Sequence, residues 1–420
     1  MKKLALHWKI LIGMALGVVF GILFSFIPQG GEFIKDYIKP FGTLFINLLK
    51  LIAVPLILAS LIKGVSDLKD ISKLSQMGGR TIITYLITTL TAVTIGLVLV
   101  NIIQPGKSIS LETRNELVAA YSTNTQEKQA AAARQKEAGP LNALVEVVPP
   151  NIFAAASNNR NMLQVIFFAL FFGIGMILLP PKKTKPVKKF FDSFNAIILK
   201  LIDLIMLAAP YGVFALLAAL VVEAPSLELF QALALYAVTL LSGLAVMIVV
   251  YMLIVRALTK KKIDFFMKGI APAQLLAFST SSSAATLPVT LECVEKNLGV
   301  DEEVASFVLP IGATINMDGT SVYQGVAAVF IAQAFGLDLS LSAQLGIVFT
   351  ATLASIGTAA VPSAGIVMLV IVLAQAGIPE AGLALIFAID RPLDMCRTIV
   401  NVTGDAAVSM IVGKSIGKLK

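Results

Sequence analysis

Apolar segments long enough to cross a bilayer recur along this chain, and the last of them is interrupted by charge. Residues 390–405 read DRPLDMCRTIVNVTGD, with AGLALIFAI just upstream and AAVSMIVG just downstream. Repeated runs of this kind are the signature of membrane helices, and they exclude one water-soluble domain of 420 residues. Only 14% of the residues are charged, against roughly 25% in a soluble domain. A charge at the bilayer centre costs roughly 2.5–3.5 kcal/mol even on the gentler scale. Asp390, Arg391, Asp394, Arg397 and Asp405 therefore need partners or a task.

Several chemistries drop out at once. Cys293 and Cys396 lie far apart with no C-x-x-C spacing, so neither a disulfide framework nor a zinc site is expected. The single histidine, His7, lies near the N-terminus, which removes histidine-based metal or acid–base chemistry from the membrane. The net charge of +8 comes from lysines clustered in short loops between apolar segments. That is how cytoplasmic loops are marked, and it argues against nucleic acid as a partner.

The chain begins with basic residues and one long apolar run without a small-residue cleavage site, which reads as an uncleaved first helix. Further helices are expected at about 40–63, 81–103, 190–222 and 227–258, with a broken one within 141–180. Residues 1–258 thus supply six transmembrane helices. The polar stretch 101–140 belongs in water. Basic regions at the N-terminus, 63–80, the loop 182–189, 259–268 and the end of the chain are taken as cytoplasmic, which puts both termini there.

Two later segments are weak spans. STSSSAATLPVT fills the middle of one and ASIGTAAVPSAG interrupts the other. Topological parity is restored if both are re-entrant hairpins, at about 267–291 and 341–377, entering from opposite sides. They alternate with a seventh helix at about 303–335 and an eighth at about 380–414. Irregular backbone at membrane depth is allowed where protein covers it or it lines a cavity. SSSAATLP (281–288) and SIGTAAVP (355–362) both start at Ser, have Ala fifth and end at Pro. The pairing suggests inverted repeats, and interrupted segments in paired positions point to a transporter binding site. The expected fold is an all-α polytopic membrane protein with eight transmembrane helices and two re-entrant helical hairpins.

At about 100° per residue, Asp390, Asp394, Arg397, Thr398, Asn401 and Asp405 share a sector of about 100° on the last helix. Such a stripe can face a cavity; the plainer alternative is an ion-pair ladder, Asp390 and Asp394 with Arg397, that only holds helices together. GATINMDGTS places Asn316, Asp318 and Thr320 at i, i+2 and i+4, which no regular helix puts on one face. An unwound segment with exposed carbonyls and a carboxylate is expected, a hard-oxygen setting suited to a small cation such as sodium. The alternative is a local kink or a helix cap.

SSSAATLPVT, GATINMDGT, ASIGTAAVPSAG and DMCRTIVNVTGD resemble the four signature segments of the glutamate/dicarboxylate–cation symporter family, in order and spacing over nearly the whole chain. The resemblance implies a homotrimer in a prokaryotic cell membrane. In each protomer a transport domain would move past a fixed scaffold like an elevator. The scaffold would come from parts of 1–72 and 141–222, and the transport core from 259–420 with the remaining helices. Sodium ions, three per substrate, would be co-transported with L-aspartate or L-glutamate.

Carried over residue by residue, the resemblance implies that Arg397 takes the substrate's side-chain carboxylate by a bidentate contact and Asp394 its ammonium. Thr320, Thr398 and Asn401 would add hydrogen bonds. The backbones of Ser282–Ser283 and Ala360–Val361 would close on the α-carboxylate, with Gly365 also lining the site. One sodium would sit among Gly312, Asn316, Asn401 and Asp405. A second would lie at Thr314, Ser355, Ile356 and Thr358, and a third at Tyr85, Thr88 and Thr89 with Asn316 and Asp318.

The chain departs from family patterns at three places. Ser281 stands where archaeal members often carry Arg, Met395 where mammalian members have one, and Gln324 where mammalian members have a titratable Glu. Arg391, one turn before Met395, can supply the missing positive charge. The leading expectation is sodium-coupled symport of acidic amino acids, not enzyme chemistry. A proton- or sodium-coupled symporter of C4-dicarboxylates or neutral amino acids is the alternative. Asp394 argues against the dicarboxylate, since an amine-free substrate would face an uncompensated carboxylate, and Arg397 argues against the neutral amino acid. A membrane hydrolase would need a base beside its serines. No histidine serves, and Lys50 and Lys200 sit on helices that read as scaffold. A passive anion channel is the remaining class.

Overall fold

The computed structural model describes residues 6–67, 75–110, 148–157, 162–223, 227–356, 358 and 364–420. The described chain is helical, with one isolated antiparallel bridge between Val300 and Leu419. In chain order the main helices are α1 (Leu6–Ser25), α2 (Lys39–Asp67), α3 (Ser75–Ile103), α4 (Met162–Leu178), α5 (Pro181–Leu207), α6 (Ala209–Glu223) and α7 (Leu227–Thr259). They continue with α8 (Ile263–Thr280), α9 (Ser283–Glu292), α10 (Glu302–Ile315), α11 (Asp318–Ala334), α12 (Leu341–Ile356), α13 (Ala364–Gln375) and α14 (Leu383–Ser415). By length and composition, Met77–Ser108, Glu228–Thr259 and Ile389–Ser415 can each cross a membrane, and α5 with α6, bent at their junction, meets the same test as a pair.

Local chemistry sets the breaks. α8 stops at Ser281, whose φ of 51° is left-handed, and the Ser282 side chain then caps α9 by accepting from the Ala285 amide at 3.2 Å. α8 and α9 pack against each other as a helical pair, as do α12 and α13. The tip of the second pair, with Ala360 and Val361, lies outside the described residues, and so does most of the second octapeptide. α10 opens on an Asp301 cap with Glu302 and Glu303 in its first turn, which suits the helix dipole. Between α10 and α11 the backbone leaves helical geometry at Asn316 (ψ 98°) and Met317 (φ −121°, ψ 48°).

Two expectations need correction. Residues 182–189 are not a loop: Pro181 starts α5, and the lysines line its first turns. Nor is 190–222 one helix, because the chain bends by 51° between α5 and α6. Pro210 sits in the first turn of α6, where its missing N–H costs nothing, whereas a longer helix would have lost a hydrogen bond there.

α14 is the axis of the site-bearing half and packs against α7, α8, α10 and α11. Every residue of α11 is buried, so its polar side chains are held in a dry setting where an unmade hydrogen bond is expensive. α1 packs on α6, and α2 packs on α4, α5 and α6. The C-terminal strand segment returns to the start of α10. Asp301 donates its amide to the Lys418 carbonyl at 3.0 Å, the Lys420 amide donates to Gly299 at 2.9 Å, and the Lys418 ammonium meets Asp301 and Glu303.

Candidate functional site

α14 gathers the charges as the stripe reading requires. The Arg397 guanidinium donates from Nη1 to Asp390 Oδ1 at 2.8 Å and from Nη2 to Asp394 Oδ1 at 2.7 Å. Its carbon lies 3.8 Å from the centroid of the Tyr323 ring on α11, a cation–π stack that fixes the plane of the fork. Arg391 donates from Nη1 to Asp394 Oδ2 at 3.3 Å. Arg397 is fully buried and Asp390 and Asp394 nearly so. A ladder geometry therefore exists within the helix.

Other elements converge on this fork. A Cβ added to Gly365 would lie 3.1 Å from Thr320 Cγ2 and 3.7 Å from Arg397 Nη2, so the start of α13 and the first turn of α11 meet at the guanidinium. Thr398 spends its hydroxyl on the Asp394 carbonyl at 2.9 Å. Asn401 Oδ1 accepts from the Gly319 amide at 2.8 Å, while its Nδ2 points to Met317 Sδ at 3.3 Å. Gly319 is required here, because any Cβ would collide with the Arg397 carbonyl. α9, which carries Ser283 just after the Ser282 cap, packs against α14.

Further along α14 a second cluster forms around two carboxylates. Asn316 Nδ2 donates to Asp405 Oδ1 at 2.8 Å and to the Asn401 carbonyl at 3.2 Å. Thr89 donates to Asp318 Oδ1 at 2.7 Å, and the Tyr251 hydroxyl donates to Asp318 Oδ2. Tyr85 donates to the Val308 carbonyl at 3.2 Å, and Thr88 donates to the Tyr85 carbonyl at 3.1 Å. Gly312 makes this possible, since a Cβ there would overlap Tyr85 Oη and Asp405 Oδ1. Asp318 and Asp405 are buried, and among the described residues no cationic side chain pairs with either. The Asn316 Oδ1 oxygen is buried without a hydrogen-bond partner. Two buried carboxylates and an orphaned amide oxygen among neutral hydroxyls and carbonyls are a donor set that fits small monovalent cations.

The remaining expected ligands are less tightly drawn together. Ser355 is buried with an unpartnered hydroxyl. Thr358 donates its amide to the Ser355 carbonyl at 3.1 Å and its hydroxyl to Ala354 at 2.8 Å. Ile356 closes α12. Thr314 has an exposed side chain whose hydroxyl turns back to the Pro310 and Ile311 carbonyls.

Sequence reasoning passed over Tyr251, Tyr323 and Met317, whereas the pairing of Asp390 and Asp394 with Arg397 is the one the ladder alternative names. The tyrosines did carry a signal: a phenol set in an apolar helix needs a partner for its hydroxyl or a charge for its face.

A model of the sodium:dicarboxylate symporter family matches residues 6–415. The chain is 35% identical to a proton/sodium-glutamate symport protein of Geobacillus stearothermophilus, over all of this chain and 96% of that protein. It is 33% identical to a proton/glutamate-aspartate symporter of Escherichia coli (strain K12), over 98% of this chain and 93% of that one. It is 36% identical to excitatory amino acid transporter 3 of Mus musculus, over 97% of this chain and 85% of that one.

Proposed function

Because the chain belongs to the sodium:dicarboxylate symporter family, we propose that it carries L-aspartate or L-glutamate across the cell membrane by symport with sodium. It is a multi-pass membrane transporter and not an enzyme. The observation that carries the reading is the pairing of two sites on one helix. Asp394 and Arg397 offer an acceptor and a bidentate donor to a substrate with an ammonium and two carboxylates. About two turns further along α14, Asp405, together with Asp318 of α11, is a buried carboxylate without a cationic side chain among the described residues. Cation binding there stabilises the packing of α3, α7, α10, α11 and α14 around the substrate site, which is how the two cargoes become coupled.

In this reading Arg397 holds the substrate's side-chain carboxylate and Asp394 its ammonium, with hydrogen bonds from Thr320, Thr398 and Asn401. Backbone at Ser282–Ser283 and Ala360–Val361 closes on the α-carboxylate beside Gly365. Sodium occupies the Gly312, Asn316, Asn401 and Asp405 set, the Tyr85, Thr88, Thr89, Asn316 and Asp318 set, and the Thr314, Ser355, Ile356 and Thr358 set, giving three ions per substrate. The helical pairs α8–α9 and α12–α13 are re-entrant hairpins. The protein works as a homotrimer with cytoplasmic termini. In each copy α3 and α7–α14 move as an elevator against α1, α2 and α4–α6.

Uptake into proteoliposomes of aspartate, glutamate and succinate, each with and without a sodium gradient, tests the function. Sodium-driven aspartate or glutamate accumulation is expected, since Gln324 cannot titrate. Uptake driven equally well by a pH gradient in sodium-free buffer overturns sodium coupling.

A further inference from the structure

The structure carries one arginine more than the substrate reading uses. Asp390 and Asp394 face Arg397 and Arg391, so the stripe is balanced by its own residues. The two arginines are held very differently. Arg397 is fully buried, bonds both carboxylates at 2.7 and 2.8 Å, and is stacked on Tyr323. Arg391 has an 11% exposed side chain and reaches Asp394 with a single nitrogen at 3.3 Å. One guanidinium is locked and the other can let go.

From this asymmetry we propose that Arg391 is a specificity-determining residue: it is the exchangeable counter-ion of Asp394, standing in for an ammonium that the substrate lacks. The inference rests on the acidic-substrate reading above. An α-ammonium competes with Arg391 for Asp394 Oδ2 and displaces it toward the exposed side. A C4-dicarboxylate without an amine leaves Arg391 in place, and Asp394 stays compensated. The expected exclusion of amine-free dicarboxylates by a bare Asp394 is thereby lifted, because the buried carboxylate is never unpaired. Arg391 acts through Asp394 and need not touch the substrate.

The test is equilibrium binding of L-aspartate and of succinate to purified protein in saturating sodium, for the wild type, Arg391→Met and Arg391→Lys, with thermal melts alongside. The wild type binds both ligands. In Arg391→Met the ratio of succinate Kd to aspartate Kd rises on the order of ten-fold, mainly because succinate weakens, and Arg391→Lys returns it toward the wild-type value. An unchanged ratio in Arg391→Met overturns the proposal, as does equal weakening of both ligands, which marks a general attraction for anions. Should Arg391→Met fail to fold, the wild type and Arg391→Lys still decide: a wild type that binds aspartate but shows no succinate binding refutes the counter-ion role. If neither ligand binds in sodium, the acidic-substrate reading fails as well.

Discussion

At the scale of the residue, the site depends on one guanidinium shared between two carboxylates. Arg397 serves two carboxylates at once, so its removal leaves both buried without that donor. Breaking such a pair costs about 3–5 kcal/mol. Arg397→Cys is expected to abolish binding of acidic substrates, lower the melting temperature and admit small neutral amino acids such as serine. Asp394→Asn keeps the shape but loses the ammonium acceptor. Aspartate should weaken by roughly 30-fold to several thousand-fold, with succinate affected far less. Competition binding with melts separates these outcomes from a plain ladder, in which both variants lose stability and neither changes selectivity. Gly312→Ala is the sharpest test of the cation cluster. A single methyl there runs into Tyr85 Oη and Asp405 Oδ1, so the sodium concentration needed for half-maximal aspartate binding should rise about ten-fold or more; an unaltered sodium dependence removes Gly312 from the site.

At the scale of the element, legibility followed from whether local chemistry left a pattern. The break at Asn316–Met317 was readable because Asn316, Asp318 and Thr320 cannot share a helical face; the backbone leaves helical geometry at Asn316 and Met317 alone, and Asp318 and Thr320 already belong to α11. The Ser281–Ser282 turn was readable because hydroxyls cap helices better than they continue them. The lysine-rich start of α5 was misread, since charge marks water but does not forbid helix, and Pro181 is well placed at the first turn. The α5–α6 bend had its signal in Pro210, masked by the apolar run around it. Tyr251 and Tyr323 reach the site only through the packing of α7 and α11 on α14, and no local pattern announces a tertiary neighbour. The α12–α13 pair is anchored at its root, where Asn101 Nδ2 donates to Gln344 Oε1 at 2.8 Å. In the proposed reading the α12–α13 pair serves as a gate over the substrate. Ala360→Trp, at its tip, should impair substrate binding more than sodium binding; unchanged substrate affinity in this variant counts against the gate.

At the scale of the whole molecule, the end of the chain is tied to the machinery it follows. Arg80 donates to the Ser415 carbonyl at 2.5 Å, and Lys418 meets Glu303 and Asp301 at the start of α10. The hydrogen bond to Glu303 raises the Lys418 pKa above its ordinary 10.5. A raised lysine stabilises fully below its unfolded value and loses that contribution only as the pH climbs through the folded one. The lysine end of this clasp therefore does not titrate near neutrality. Lys418→Ala should make the tail more accessible to carboxypeptidase at pH 8 without altering aspartate affinity; an equally protected tail shows that the backbone bonds of Asp301 and Lys420 suffice. Native mass measurement or cross-linking of the purified protein should report three copies.

The unbalanced carboxylates also have an electrical meaning. The buried or nearly buried charged side chains among the described residues are four aspartates and two arginines. Taken as ionised, they leave the core two units negative. An acidic amino acid would add one more, and the three sodium ions proposed above would bring the loaded core to neutrality. In the proposed elevator cycle the membrane potential then has nothing to pull on while cargo crosses. It acts on the return stroke, with about 2.3 kcal/mol for each charge carried through 100 mV. An inside-negative voltage drives the unloaded core outward, back to the side where cargo is collected. Net uptake should therefore quicken with voltage, while one-for-one exchange of labelled aspartate, loaded in both directions, should proceed at the same rate whatever the potential.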